Sequence, residues 1–423
     1  MPNRRTVLAA IVSLPLLASC SGTGSRAPEL ALDRVWDRPV PWDAGRGIDY
    51  LVDRLSLVGN TVLYAEGAER EPERITALDA ATGAERWSIK VGQSITAPTV
   101  GRVRLSGCGR VAAGSFGASF QNPLLRAVGD ILPLPYVSDD GAKPASGVIG
   151  VRLTTGEPVW GVATSEPSAD RPVITAVSDA CVIITVTPEV GIDWPAADAP
   201  VTTIAVDGRT GRTLWSAPDV LGLGADGEFV VVGQRELRAG SRAVWTLRTL
   251  AAGTGEQRWA DDQELRYLGD HRATAAGYTV LNGYRVFRLA TGERIDYEAE
   301  AQPLPIMTDP PLLAWDAGDD WWSPWSSGFF TQVLPDGKPQ HGRGRPGGLE
   351  FDVRSGVGPY VWGELTGTQG TWESDADLIG VAALDRSGTP RSPSLHGILA
   401  AVNDRWLITV DSKGFATYRI APA

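Results

Sequence analysis

Ala77-Leu78-Asp79-Ala80-Ala81-Thr82-Gly83-Ala84-Glu85-Arg86-Trp87 joins the end of an apolar strand to a Thr-Gly turn and then, after three residues, to a Trp. The phrase returns at Thr155-Gly156 with Trp160, at Thr210-Gly211 with Trp215 and at Thr254-Gly255 with Trp259. A phrase repeated along a chain marks one supersecondary unit stacked many times. The residues before each turn alternate with period two, as a half-buried strand does. Gly after Thr supplies the positive φ of a tight reversal. Further apolar runs precede each phrase, among them Thr61-Val62-Leu63-Tyr64, Val182-Ile183-Ile184 and Phe229-Val230-Val231-Val232. Three or four short strands per repeat make an all-β array. A lone four-stranded sheet leaves both faces wet, so the units must pack on one another. Each Trp buries about 150–250 Å², at most roughly 4–6 kcal/mol at about 25 cal/mol/Å². Trp87, Trp160, Trp215 and Trp259, with Gly83, Gly156, Gly211 and Gly255, are therefore expected to dock one sheet onto the next.

The Trp positions are spaced by 73, 55 and 44 residues. Strict solenoid layers tolerate such variation poorly, whereas sheets arranged radially around an axis accept loop insertions. Degenerate copies follow at Ala290-Thr291-Gly292-Glu293, Leu334-Pro335-Asp336-Gly337 and Ala383-Leu384-Asp385-Arg386-Ser387-Gly388. The last stretch, Trp406 to Ile420, holds inner strands without a Trp strand. Near the N-terminus, Leu32 to Val40 is a Trp strand, centred on Trp36, with nothing before it. Joined, the two complete one sheet and remove the free edges of the array. The expected fold is an all-β, eight-bladed β-propeller closed by an N-terminal strand that completes the last blade; seven blades is the rival count.

The phrase Ala-x-Asp-x-x-Thr-Gly-x-x-x-Trp resembles the tryptophan-docking motif of the PQQ-type repeat propellers, over about residues 30–420 and more specifically in the first half. That resemblance implies one of two functions. Quinoprotein dehydrogenases of the family bind pyrroloquinoline quinone and Ca²⁺ at the ring's centre. Cofactor-free lipoproteins, typified by the propeller subunit of the outer-membrane β-barrel assembly machine, serve as binding platforms. The dehydrogenases carry a vicinal Cys pair and a catalytic Asp beside Ca²⁺; no two Cys are adjacent here and no Asp or Glu aligns with those roles. The expectation is a protein without cofactor, metal site or catalytic residue. His271, His341 and His396 are far apart without zinc spacing, and neither a Gly-x-Ser-x-Gly elbow nor a phosphate loop occurs. Asp316, Asp319 and Asp320 lack the distal Glu of a Ca²⁺ loop.

The N-terminus reads as an address. Arg4-Arg5, an apolar run from Val7 to Leu17 and then Leu17-Ala18-Ser19-Cys20 make a short signal peptide. Its end resembles the lipobox of bacterial lipoproteins, and residues 3–8 resemble, loosely, a twin-Arg signal. The resemblance implies cleavage before Cys20 and diacylglycerol on its sulfur. The organisation is then a signal peptide over 1–19, a lipidated Cys and flexible tether over 20–30, and a propeller over 31–423. Net charge is −11, falling to −13 once Arg4 and Arg5 leave with the leader, and this argues against a nucleic-acid partner. Hydrophobic residues make up 43% of the chain, enough for a large core. Cys108 and Cys181 would share an oxidising compartment, where either a disulfide or two buried thiols is open.

Two departures from the repeat are candidate partner surfaces. Trp315, Trp321, Trp322, Trp325, Phe329 and Phe330 crowd one stretch, and of these Trp321, Trp322, Trp325 and Phe329 are candidate contacts for a partner chain or a sugar ring. The segment Gln121–Ser146, with Leu132 and Tyr136, reads as an apolar insertion that covers the ring or offers a docking surface. The whole is expected to be a monomeric, membrane-anchored lipoprotein of the cell envelope. It would sit on the outer face of the cytoplasmic membrane, or on an outer membrane if one is present, and bind or assemble envelope proteins. The alternatives are a quinoprotein dehydrogenase and a propeller that binds cell-wall glycan.

Overall fold

The computed structural model describes residues 29–40, 49–52, 54–67, 73–106, 125–139, 145–165, 171–187, 200–237, 243–265, 271–275, 277–281, 285–295, 304–306, 312–314, 329–333, 339–343, 350–357, 360–366, 378–384 and 390–423. Apart from a one-turn helix at Asp49–Val52, the regular structure among them is strand. The strands form eight sheets, numbered here in chain order, and every pairing is antiparallel between chain neighbours except the one that joins the termini. Sheet 1 holds Leu55–Val58, Thr61–Glu66, Arg74–Asp79 and Glu85–Lys90. Sheet 2 holds Ser94–Ala97, Gly101–Leu105, Ile131–Ser138, Ser146–Arg152 and Pro158–Ser165. Sheet 3 holds Arg171–Val177, Cys181–Thr187, Thr202–Asp207 and Thr213–Pro218; sheet 4 holds Val220–Asp226, Phe229–Leu237, Ala243–Ala251 and Gln257–Leu265. Sheet 5 holds His271–Ala275, Tyr278–Leu281, Arg285–Arg288 and Arg294–Ile295; sheet 6 holds Leu304–Ile306, Leu312–Ala314, Phe329–Val333 and Pro339–Arg343. Sheet 7 holds Glu350–Val357, Tyr360–Thr366 and Leu378–Leu384. Sheet 8 combines Ile398–Val402, Trp406–Asp411 and Gly414–Pro422 with the N-terminal strand Leu30–Pro39.

The core lies between successive sheets, because a strand buried on both faces must have a neighbour on each. Leu63, Ile75, Ala77 and Trp87 of sheet 1 meet Val103, Leu132, Leu134, Tyr136 and Ile149 of sheet 2. Similar clusters join sheets 2 and 3, 3 and 4, 4 and 5, 7 and 8, and 8 and 1. Strand Leu304–Ile306 of sheet 6 adjoins His271–Ala275 on one side and Glu350–Val357 on the other.

Ile131–Ser138 corrects the reading of Gln121–Ser146 as a surface insertion. Ile131 through Tyr136 are all buried, and Leu132 and Tyr136 are at 0% and 1% exposure, so neither can meet a partner. The Pro-Leu-Pro pattern disguised the strand, since proline cannot donate to a ladder. The register shows how it is accommodated. Ile131, Pro133 and Pro135 turn their backbone groups away from Ser146–Arg152, as the bonds of Ile131 with Val128 and from Ser106 N to Pro135 O show. The missing N–H groups therefore fall on the side where the ladder is incomplete. The expected solvent-facing or ring-covering role passes to a strand that is apolar because it is sandwiched.

Two ends of each sheet can be distinguished. The first-to-second and third-to-fourth connections share one end, here the turn rim; in sheet 1 these are Gly59-Asn60 and residues 80–84. Outside sheet 2 the second-to-third connections leave from the opposite, far rim, among them residues 188–201, 315–328 and 367–377. In sheet 2 the extra first strand shifts the pattern by one, so that its second-to-third connection, residues 106–130 and the longest of all, leaves from the turn rim. In sheet 8 the turn rim carries both chain ends, because Leu30 pairs with Pro422 and Pro39 with Gly414. Ala423 N donates to Glu29 O at 3.0 Å. Sheet 7 lacks a fourth strand among the described residues. Instead Pro390–Leu395 runs along Leu378–Leu384, and Leu30 N bonds to Arg391 O at 2.9 Å, stitching sheets 7 and 8.

Gly414 stands at φ +143° where the terminal strands meet, and a Cβ there would overlap the carbonyl oxygen of Arg38. Gly227 also has positive φ, +54°, but faces open space. Gly414→Ala is expected to cost about 3 kcal/mol or more in urea unfolding, from strain plus displacement of the N-terminal strand, against about 1 kcal/mol for Gly227→Ala.

Candidate functional site

The repeated residues converge on a single device, an indole seat, that recurs between sheets. The turn that builds it follows from its residues. Gly83 N donates to Asp79 O at 2.8 Å, closing a five-residue reversal whose Gly has φ +70°. The same bond closes at Gly156–Arg152, Gly211–Asp207, Gly255–Ala251 and Gly292–Arg288, with φ between +71° and +74°. Thr precedes each Gly for a local reason. Its hydroxyl accepts the N–H two residues on, at 3.2–3.3 Å in all five turns, and so satisfies a donor the reversal would strand. Where Asp opens the turn, as at Asp79 and Asp207, its carboxylate takes two more backbone N–H groups.

Each turn receives an indole from the preceding sheet. Trp36 lies on Gly83, Trp87 on Gly156, Trp160 on Gly211, Trp215 on Gly255 and Trp259 on Gly292. A Cβ on these glycines would come within 2.7–2.9 Å of ring or Cβ atoms of the Trp, so Gly is required twice, for its φ and for its bare face. Each Nε1 then donates to the carbonyl three residues before the Gly: Ala80, Leu153, Gly208, Ala252 and Leu289, at 2.7–3.0 Å. Within its own sheet each Trp pairs with a small or slim residue, Thr417, Ala77, Gly150, Ala205 or Thr249 for Trp36, Trp87, Trp160, Trp215 and Trp259. For Trp160 the fit is close enough that a Cβ on Gly150 would overlap the ring.

Trp and Thr-Gly of one phrase therefore never meet; each Trp serves the next sheet's turn. Thr291-Gly292, a degenerate copy by sequence, is a complete seat that has lost only its own Trp. Trp36 is the reverse, a Trp without a turn of its own. Trp406 makes a different bond across sheets 8 and 1, from Nε1 to Asn60 Oδ1 at 2.9 Å, beside Asn403 Nδ2 to Gly59 O. Phe415 packs edge-on to Trp36 at 5.8 Å, and Phe287 stacks on Trp259 at 5.5 Å. The constant spacing from turn to Trp points in the sequence to docking of one sheet on the next, but carries no sign of the carbonyl that each indole N–H finds there.

The remaining site candidates divide. Phe329 opens strand Phe329–Val333 of sheet 6, whereas Trp321, Trp322 and Trp325 lie outside the described residues, as do Cys20 and Cys108. Cys181 is a buried free thiol, 3.6 Å from Ser178 Oγ, and burial pushes its ionisation up. Between sheets 3 and 4 it packs as a small apolar core residue. Among the described residues no group of three or more His, Cys, Asp or Glu is placed to hold a metal ion. Asp79 is held below the usual carboxylate range, chiefly by the 2.6 Å bond from Arg86 Nη2 and also by Thr82 and the Ala81 N–H, against an opposing push from burial.

No family profile matches the sequence, and no curated protein does. Solved structures do align with it. The β-propeller domain of the trilobed protease from Pyrococcus furiosus is 11% identical over 78% of this chain and 94% of its own, with a TM-score of 0.38. The Pan2 WD40 domain of Neurospora crassa is 8% identical over 92% and 94%, with a TM-score of 0.41. A europium-containing methanol dehydrogenase is 11% identical over 87% and 81%, with a TM-score of 0.31. The described residues are all-β apart from one helical turn, and the structures that align with them include a β-propeller domain.

The seat separates into terms that mutants can read. Trp87→Phe keeps an apolar ring but orphans Leu153 O, and should lower unfolding free energy by about 1–2 kcal/mol. Gly156→Ala should cost about 3 kcal/mol or more, since the indole must leave its seat. In the double mutant the two losses should fall short of additive by roughly 1 kcal/mol or more; strict additivity would show that the residues do not act together. Asp79 also predicts a pH dependence. A carboxylate with a depressed folded pKa contributes stability at neutral pH that is lost as pH falls through its folded value. The deficit of Asp79→Asn in thermal melts should accordingly be present at pH 7 and shrink below about pH 3.8, in line with the roughly 0.2–1 kcal/mol of a half-exposed pair.

Proposed function

We propose that this chain is an eight-bladed β-propeller lipoprotein, anchored through Cys20, that serves as a non-catalytic protein-binding or assembly platform in the bacterial cell envelope. The observation that carries the reading is where the recurring residues go. Thr, Gly and Trp of the repeat are consumed in holding sheet to sheet, and none is left over as a chemical group. What varies between repeats is the length of the connections between strands of a sheet, from the two residues at 412–413 to the twenty-five at 106–130, and variable connections on a rigid scaffold are how binding specificity is acquired. Ring closure is supported by contacts that pass from each sheet to the next and from sheet 7 through sheet 8 to sheet 1. The envelope address rests on the Arg4-Arg5 leader and on Leu17-Ala18-Ser19-Cys20. The partner is then an envelope protein, met by a monomer at the surface of a membrane, and no nucleic acid or quinone takes part.

Photo-crosslinking in intact envelopes tests this. A crosslinking residue at exposed Lys413, in the second-to-third turn of sheet 8, should capture a discrete protein adduct that identifies the partner. Purified protein given pyrroloquinoline quinone and Ca²⁺ should reduce no dye with alcohols or aldoses. Dye reduction, or the absence of any adduct from Lys413 and from other far-rim positions, overturns the platform reading.

A further inference from the structure

We propose that the turn rim is the face held against the lipid surface, so that the far rim points away from it. The inference rests on Cys20 carrying the lipid. Glu29, the first described residue, is pinned. Its carboxylate receives Arg391 Nη1 at 2.8 Å and the Tyr360 hydroxyl at 3.4 Å, and its carbonyl receives Ala423 N. Arg391 is only 14% exposed, so this clamp is set into the body of the protein. Pairing of Leu30 with Pro422 puts Glu29 on the turn rim of sheet 8. Trp36, running up from it, meets the turn of sheet 1, and the later seats link the same rim of sheets 2 to 5.

Only nine residue steps, rich in Gly and Ser, separate Cys20 from Glu29. Nine residue steps reach at most about 30 Å. Strand Gly414–Pro422, paired with Leu30–Pro39, sets Glu29 about 25–30 Å from the far rim of sheet 8. If the far rim met the bilayer, Glu29 would stand a full sheet height away, and the tether would have to be stretched to its limit. If the turn rim does, the tether keeps its freedom. The bias comes from the tether alone, since the exposed turn-rim charges are mixed: Asp130, Glu157, Arg209, Arg212 and Glu228.

The test uses full-length lipidated protein in phosphatidylcholine–phosphatidylglycerol vesicles. Fluorophores are placed through Asp404→Cys on the turn rim and Lys413→Cys on the far rim, each in a Cys108→Ser background. With the two positions about 20 Å apart along the strands, headgroup-nitroxide lipid should quench the first about threefold or more over the second. Equal quenching, or stronger quenching at Lys413→Cys, overturns the orientation. Lengthening the tether by about twenty Gly/Ser residues between Ser25 and Arg26 should erase the bias; a bias that survives overturns the tether as its cause. Vesicle flotation separates the two ideas. If wild type and Cys20→Ser float alike or not at all, the anchor reading fails. If only wild type floats and the labels do not differ, the orientation alone fails.

Discussion

An indole laid on a bare glycine, with its N–H tied to a carbonyl three residues upstream, is the contact on which the rest of the structure depends. Each sheet is an antiparallel ladder complete in itself, and ladders alone would leave separate sheets with two wet faces. The seat supplies an apolar plate of the size that dominates core energetics and a directional bond that permits only one register. It also sets the handover from sheet to sheet, because the donor sits one short strand beyond its own turn. Hydrophobic clusters fill the space between sheets, but aliphatic side chains alone would accept sliding. The seat does not.

This explains why the sequence was legible where it was. Trp87, Trp160, Trp215 and Trp259 stand at constant distance from Thr-Gly because turn and outer strand have fixed geometry. A period-two strand before each turn followed directly. The strand around Trp36 was legible as an orphan, and its partner was legible at the other end of the chain as inner strands lacking an outer one. Reading failed where a residue's role is set by a neighbour remote in sequence. Thr291-Gly292 looked like a worn copy because its own Trp is gone, yet the seat it forms is complete. Whether a seat is used depends on the sheet before it.

The segment Ile131–Ser138 failed for a different reason. Two prolines in a six-residue run ordinarily exclude a strand, and the rule is sound for a strand paired throughout on both sides. Here Pro133 and Pro135 sit where one neighbour is present and the other is not, and only the register reveals on which side their nitrogens fall. In sequence, Leu132 and Tyr136 suggest a ring cover or docking surface because they lie in an apolar stretch without an evident element; they are core. The spacing of Cys181 says nothing of its fate; its neighbours across two sheets bury it as a small apolar residue.

The join between the strand Leu30–Pro39 and the strand Gly414–Pro422 carries a consequence for biosynthesis. The earliest of the described strands must wait for the latest, so the pairing closes a loop of about four hundred residues, and such long-range pairing slows folding. Until the C-terminus is released, the early strand presents an unpaired edge, which is a template for aggregation or a substrate for proteolysis. Any prematurely terminated product keeps that edge for good. The fold thereby audits its own completeness, since only a chain translated to the end can hide its beginning.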